Sequence, residues 1–116
     1  MQNLNEFKEL IKLYEDLTLS ELEEFWLDNG YSTLSELTGF GSTGTCTLCI
    51  AVNNHACGNM WKTNSTCHNC VYSKRGMDSI YPPCVEETYD MLDSAKTPQE
   101  LYNAIQERIK LMKSLL

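Results

Sequence analysis

The sequence predicts an α+β domain that is mainly α, with helices at both ends packed over a cysteine-rich zinc-knuckle centre of short strands or irregular chain. Three observations predict it. Apolar residues recur at helical spacing near both termini, all six cysteines fall between residues 46 and 84, and that middle stretch has few large apolar side chains. The 116 residues suit a single domain, 1–116, made of N-terminal helices (1–38), a Gly/Cys-rich centre (39–84) and C-terminal helices (85–116). A chain of this size buries only about 60–70% of the surface that its unfolded form exposes. Such domains commonly recruit a metal, disulfides or a second subunit.

Leu4, Phe7, Leu10, Ile11, Tyr14 and Leu17 lie three and four residues apart and form one apolar helical face, with Glu6, Glu9, Lys12 and Glu15 largely away from it. Thr18-Leu19-Ser20-Glu21 reads as a capping box that opens a second helix. Leu22, Phe25 and Trp26 are expected to form its buried side, and Gly30 to end it in the left-handed conformation. Thr33-Leu34-Ser35-Glu36 offers a further capping box, for a helix of barely two turns that stops at Gly39.

In the centre, Thr45, Thr47, Ile50 and Val52 make residues 45–52 a short strand or, with so brief an apolar run, a helix. Helical signals return after Pro82-Pro83. Val85, Tyr89 and Leu92 line a short helix. Thr97-Pro98-Gln99-Glu100 then supplies a capping threonine, proline at the first helical position and glutamate three residues after the cap. Leu101, Ile105, Arg108, Ile109, Met112 and Leu115 continue that stripe.

The opening MQNLNEFKEL is acidic and amphipathic rather than a basic stretch followed by an apolar run, and no apolar run approaches bilayer length. The sequence therefore predicts a cytoplasmic protein without a membrane span, where thiols stay reduced. The net charge of −7 opposes general nucleic-acid binding. It is unevenly spread: residues 1–40 carry nine acids and two lysines, whereas residues 41–84 carry Lys62, Lys74 and Arg75 against Asp78 alone. An anionic ligand would find its most favourable potential in the centre, although three scattered cations are also ordinary surface chemistry.

Cys46-Thr47-Leu48-Cys49 and Cys67-His68-Asn69-Cys70 are two C-x-x-C pairs separated by 17 residues, within the spacing of a four-cysteine zinc site. Two intervening residues let both sulfurs of a pair reach one ion from a tight turn, and two such turns complete a tetrahedron. One structural zinc ion held by Cys46, Cys49, Cys67 and Cys70 would supply folding energy to a centre with little core of its own. Cys84, at a helix start that favours thiolate, is the alternate ligand. Cys57, His68 and His55 are weaker competitors. The same thiolates suit an iron–sulfur cluster, but nothing else in the chain suggests electron transfer. Buried free cysteines acting as small apolar residues are the plain alternative, and disulfides are another.

Gly39-Phe40-Gly41-Ser42-Thr43-Gly44 has the letters of a dinucleotide-binding turn, yet no βαβ unit surrounds it. Stripped of that fold, Gly39, Gly41, Ser42, Thr43, Gly44 and Thr45 remain a nest of N–H and hydroxyl donors for phosphate or carboxylate, with Lys62, Lys74 or Arg75 to assist. A glycine-rich turn joining a helix to a metal knuckle needs no ligand. Trp61, Tyr72 and Tyr81 could stack on a purine or simply add core.

Cys57 with His55, or Cys84 with His68, has the composition of a nucleophile pair, but closeness in sequence is not catalytic geometry. No H-x-E precedes a C-x-x-C, so the zinc deaminase signature fails. Two complete C-x-x-C pairs would also close the open position a catalytic zinc keeps.

The run LTGFGSTGTCTLC, with CHNCVYS, PPC and TPQELYNAIQERI, resembles small uncharacterised cysteine-rich proteins encoded by phages and prophages, across residues 37–109. The resemblance carries no functional residues over. It implies a role in phage–host conflict, by inhibiting a host protein or sequestering a defence signal.

Two functional expectations follow. One is a non-catalytic, zinc-stabilised interaction module whose acidic helices meet a protein with a basic surface. The other is a binding protein that sequesters a phosphate-bearing metabolite or nucleotide at the glycine-rich loop. A zinc-dependent hydrolase or redox enzyme ranks below both, and a homo-oligomer is compatible with either.

Overall fold

The computed structural model describes residues 3–39, Val71, Lys74 and 87–116. Five helices run through them: α1 (Leu4–Asp16), α2 (Leu19–Glu24), α3 (Gly30–Thr38), α4 (Glu87–Ser94) and α5 (Pro98–Ser114). There is no strand among the described residues. The strand-or-helix expectation for residues 45–52 lies outside them, as does Val85.

The apolar stripe of α1 is buried as its spacing requires: Phe7, Leu10, Ile11 and Tyr14 face the core, and Leu4 and Leu17 pack at its edge. The stripe of α5 meets it with Leu101, Ala104, Ile105, Ile109 and Met112. α5 packs against α1, α2 and α4, while α3 packs against α4 and α1. The two terminal segments thus close on one another around a single apolar cluster that includes Leu22, Leu34, Val71, Leu92 and Ala95. At the rim, Lys113 Nζ sits 2.7 Å from Glu15 Oε2 and ties α5 to α1.

Two of the caps form as the sequence predicts. Thr18 Oγ1 accepts the Glu21 N–H at 3.2 Å, and the Glu21 carboxylate accepts the Thr18 N–H at 3.3 Å. Thr97 Oγ1 accepts the Glu100 N–H at 3.1 Å, with Pro98 opening α5. Glu100 reaches one residue further back than a standard capping box, accepting the Lys96 N–H at 2.7 Å. Gly39 ends α3, as expected of it, and does so in the left-handed conformation with φ +76°.

Three expectations around residues 25–36 are corrected. Phe25 is half exposed rather than buried, because α2 ends at Glu24 and Phe25 is already its C-cap. Gly30 does not end α2; the left-handed residue of this connection is Asp28, with φ +62°, and Gly30 is the buried first residue of α3. A Cβ on Gly30 would run into the Leu92 carbonyl oxygen and lie 2.9 Å from the Ala95 Cβ, so glycine is what lets α3 approach the end of α4. Thr33 does not cap α3, since that helix begins earlier, at Asn29, whose side chain accepts the Ser32 N–H at 2.9 Å. Thr33 is instead fully buried inside the helix.

Arg108 sits on the buried stripe of α5, and its Nη1 donates to Thr88 Oγ1 at 2.9 Å. That bond satisfies part of a guanidinium that would be costly to bury unpaired, and it links α5 to α4. Tyr31 and Tyr89, with ring centroids 5.2 Å apart and planes tilted by 56°, join α3 to α4 on the other side.

Candidate interaction surface

The four predicted zinc ligands, Cys46, Cys49, Cys67 and Cys70, lie outside the described residues, as do Cys84, Cys57 and both histidines. Among the described residues no three His, Cys, Asp or Glu side chains converge in a way that could hold a metal ion. One described residue touches the question directly. Val71 follows Cys70 in the chain, is fully buried in the helical core, and donates its N–H to Asn3 Oδ1 at 2.9 Å. The residue next to the second C-x-x-C pair is therefore fixed against the start of α1.

Of the predicted loop residues, Gly39 and Lys74 are described. Lys74 is exposed. Gly39 donates its N–H to the Ser35 carbonyl at 2.7 Å, as part of the end of α3. Gly41, Ser42, Thr43, Gly44, Thr45, Lys62 and Arg75 lie outside the described residues.

What the described residues do present is a series of exposed carboxylates along α1 to α3, with two exposed large apolar residues among them in the sequence. Glu9, Glu15, Asp16, Glu23, Glu24, Asp28 and Glu36 are all exposed on α1 to α3 and their connections. Within this field Phe25 and Leu27 are 49% and 51% exposed. Between them Trp26 packs against the core, so the segment is anchored through its middle residue while both neighbours meet solvent. Chain geometry keeps the Cα atoms of residues 25 and 27 within about 7 Å of each other.

The backbone here is held from beneath. The Thr33 hydroxyl accepts the Leu27 N–H at 2.9 Å and donates to the Asn29 carbonyl at 2.8 Å. Asn29 Nδ2 donates in turn to the Asp93 carbonyl at 3.4 Å, which fastens the connection to the end of α4.

Sequence reasoning placed Phe25 in the core and did not single out Leu27. The available signal was the triplet Phe25-Trp26-Leu27, since three consecutive residues spread over 200° of a helix and cannot share one buried face.

A separate open hollow of about 270 Å³ lies between α4 and α5, lined by Met91, Ser94, Ala95, Glu100, Asn103 and Ala104. One oxygen of its Glu100 carboxylate accepts the Lys96 N–H at 2.7 Å. No helix among the described residues is long and apolar enough to cross a membrane.

The fold and surface define a mainly helical, acidic, cysteine-containing chain. Comparison with protein-family models, with curated proteins and with solved structures gave no match.

Proposed function

We propose that this chain is a non-catalytic protein–protein interaction module, stabilised at its cysteine-rich centre by one zinc ion. The observation that carries the interaction reading is the set of seven exposed carboxylates on α1 to α3 and their connections, a stretch whose own cations are Lys8 and Lys12, with Lys113 of α5 paired to Glu15. Such a field attracts a basic protein surface and speeds its encounter. The zinc reading is supported by the paired C-x-x-C spacing in a stretch with little apolar mass. On this reading the resemblance to phage-encoded proteins implies that the partner is a host protein, which the module inhibits.

Purified protein tests both parts. Elemental analysis is expected to find about one zinc per chain. Binding to a basic partner is expected to weaken as salt rises, and nucleotides are expected to leave the melting temperature unchanged. Absence of metal overturns the zinc reading. A nucleotide-dependent rise in melting temperature that is lost in Gly41→Glu replaces the interaction reading with the sequestering protein.

A further inference from the structure

We infer that Phe25 and Leu27 form the apolar contact point of the acidic surface, and that the segment docking there is an amphipathic helix carrying leucine-like side chains beside lysine or arginine. The inference rests on the interaction reading above and names the place and the chemistry of the partner. Single exposed apolar residues are ordinary. These two differ in three respects.

They flank a residue, Trp26, that is half-buried and packed against the core, so withdrawing the pair would disturb that contact. The Phe25 N–H is held by the Glu21 carbonyl at 3.0 Å and the Leu27 N–H by the buried Thr33 hydroxyl at 2.9 Å, so less backbone ordering entropy remains to be lost on docking. They are bracketed in sequence by Glu23 and Glu24 on one side and Asp28 on the other, all exposed.

An apolar centre inside a charged rim is the usual layout of a docking hot spot, in which a few apolar anchors carry most of the affinity and the rim sets partner choice. The sign of the rim decides the occupant. A second copy of this chain would bring the same carboxylates face to face, at a cost from like-charge juxtaposition. A basic amphipathic helix puts leucines against Phe25 and Leu27 and cations against the three carboxylates.

The test uses the full chain and three fluorescein-labelled synthetic peptides of about 15 residues, long enough to form a helix on binding. One is an amphipathic leucine–lysine helix, the second replaces its leucines with serine, and the third replaces its lysines with glutamate. Fluorescence anisotropy gives Kd for wild type, for Phe25→Ser/Leu27→Ser, and for Glu23→Gln/Glu24→Gln/Asp28→Asn.

The leucine–lysine peptide is expected to bind wild type and to lose at least about tenfold in affinity on the serine variant. The serine–lysine peptide is expected to bind weakly and equally to both, and the glutamate peptide to neither. The carboxamide variant is expected to lose affinity at about 50 mM salt and to match wild type at about 500 mM. All five substituted residues are surface residues, and matched melting curves confirm that the variants fold. Binding of the leucine–lysine peptide that is unchanged in the serine variant overturns the contact point and leaves the acidic-surface reading standing. No binding of either lysine peptide to wild type overturns both.

Discussion

Asn3 is the N-cap residue of α1, yet its side chain caps nothing there; the side-chain oxygen instead accepts the N–H of Val71, 68 residues away, at 2.9 Å, and both residues are fully buried. Asparagine before a helix ordinarily spends that oxygen on an N–H of the first helical turn. Here it holds Val71 to the start of α1. Asn3→Ala would strand a buried N–H, and it is expected to lower unfolding free energy by about 1–3 kcal/mol in urea titrations. A variant as stable as wild type would show that the bond contributes nothing.

The same bond makes the zinc proposal measurable from a distance. Cys70 precedes Val71, so a metal held at Cys67 and Cys70 would restrain the chain next to the Asn3 contact. The two restraints are then coupled rather than additive. The cost of Asn3→Ala is expected to be larger in metal-loaded protein than after chelation. Equal costs in the two states would place the metal, if bound, elsewhere.

Gly30→Ala is expected to cost at least about 2 kcal/mol or to prevent folding. The added methyl meets the Leu92 carbonyl, a backbone atom that cannot rotate aside, and the Ala95 Cβ at 2.9 Å. Thermal unfolding of the variant checks this. Gly39→Ala makes a useful comparison, because nothing lies within 4 Å of its added methyl and only the strain of φ +76° remains.

Thr33→Val keeps the volume of a fully buried side chain and removes both of its hydrogen bonds. The Leu27 N–H loses its acceptor, and a loss of about 1–3 kcal/mol is expected by chemical denaturation. Because the Leu27 backbone is released, the affinity of the leucine–lysine peptide should fall as well. A variant that loses stability but keeps full peptide affinity would separate the two roles.

Thr97→Ala removes the acceptor for the Glu100 N–H at the start of the longest helix. The expected loss is about 1 kcal/mol, read as a lower melting temperature. Thr97→Ser retains the oxygen and should restore most of it.

Local chemistry was enough to locate the start of α2 and of α5, because each begins with a threonine and a glutamate three residues on, and these satisfy N–H groups within their own turn. Spacing was likewise enough to assign the buried faces of α1 and α5, since apolar residues repeating every three to four positions leave one stripe to hide from water. What lay beyond such reasoning involved distant partners. Phe25 has the hydrophobicity of a core residue, yet α2 stops before it and Trp26 takes the inward position. Gly30 has the look of a helix terminator, yet its missing side chain serves an approach to Leu92 and Ala95, more than 60 residues away. Asn3 stands just before α1, yet its side-chain oxygen is used by Val71, 68 residues away. Sequence determined where α2 and α5 start and which stripes of α1 and α5 avoid water, because both depend on neighbours within a few residues. Tertiary structure alone decided which apolar residues stay outside and which polar groups go in, because that choice is made by atoms that meet only after the two ends of the chain have closed on each other.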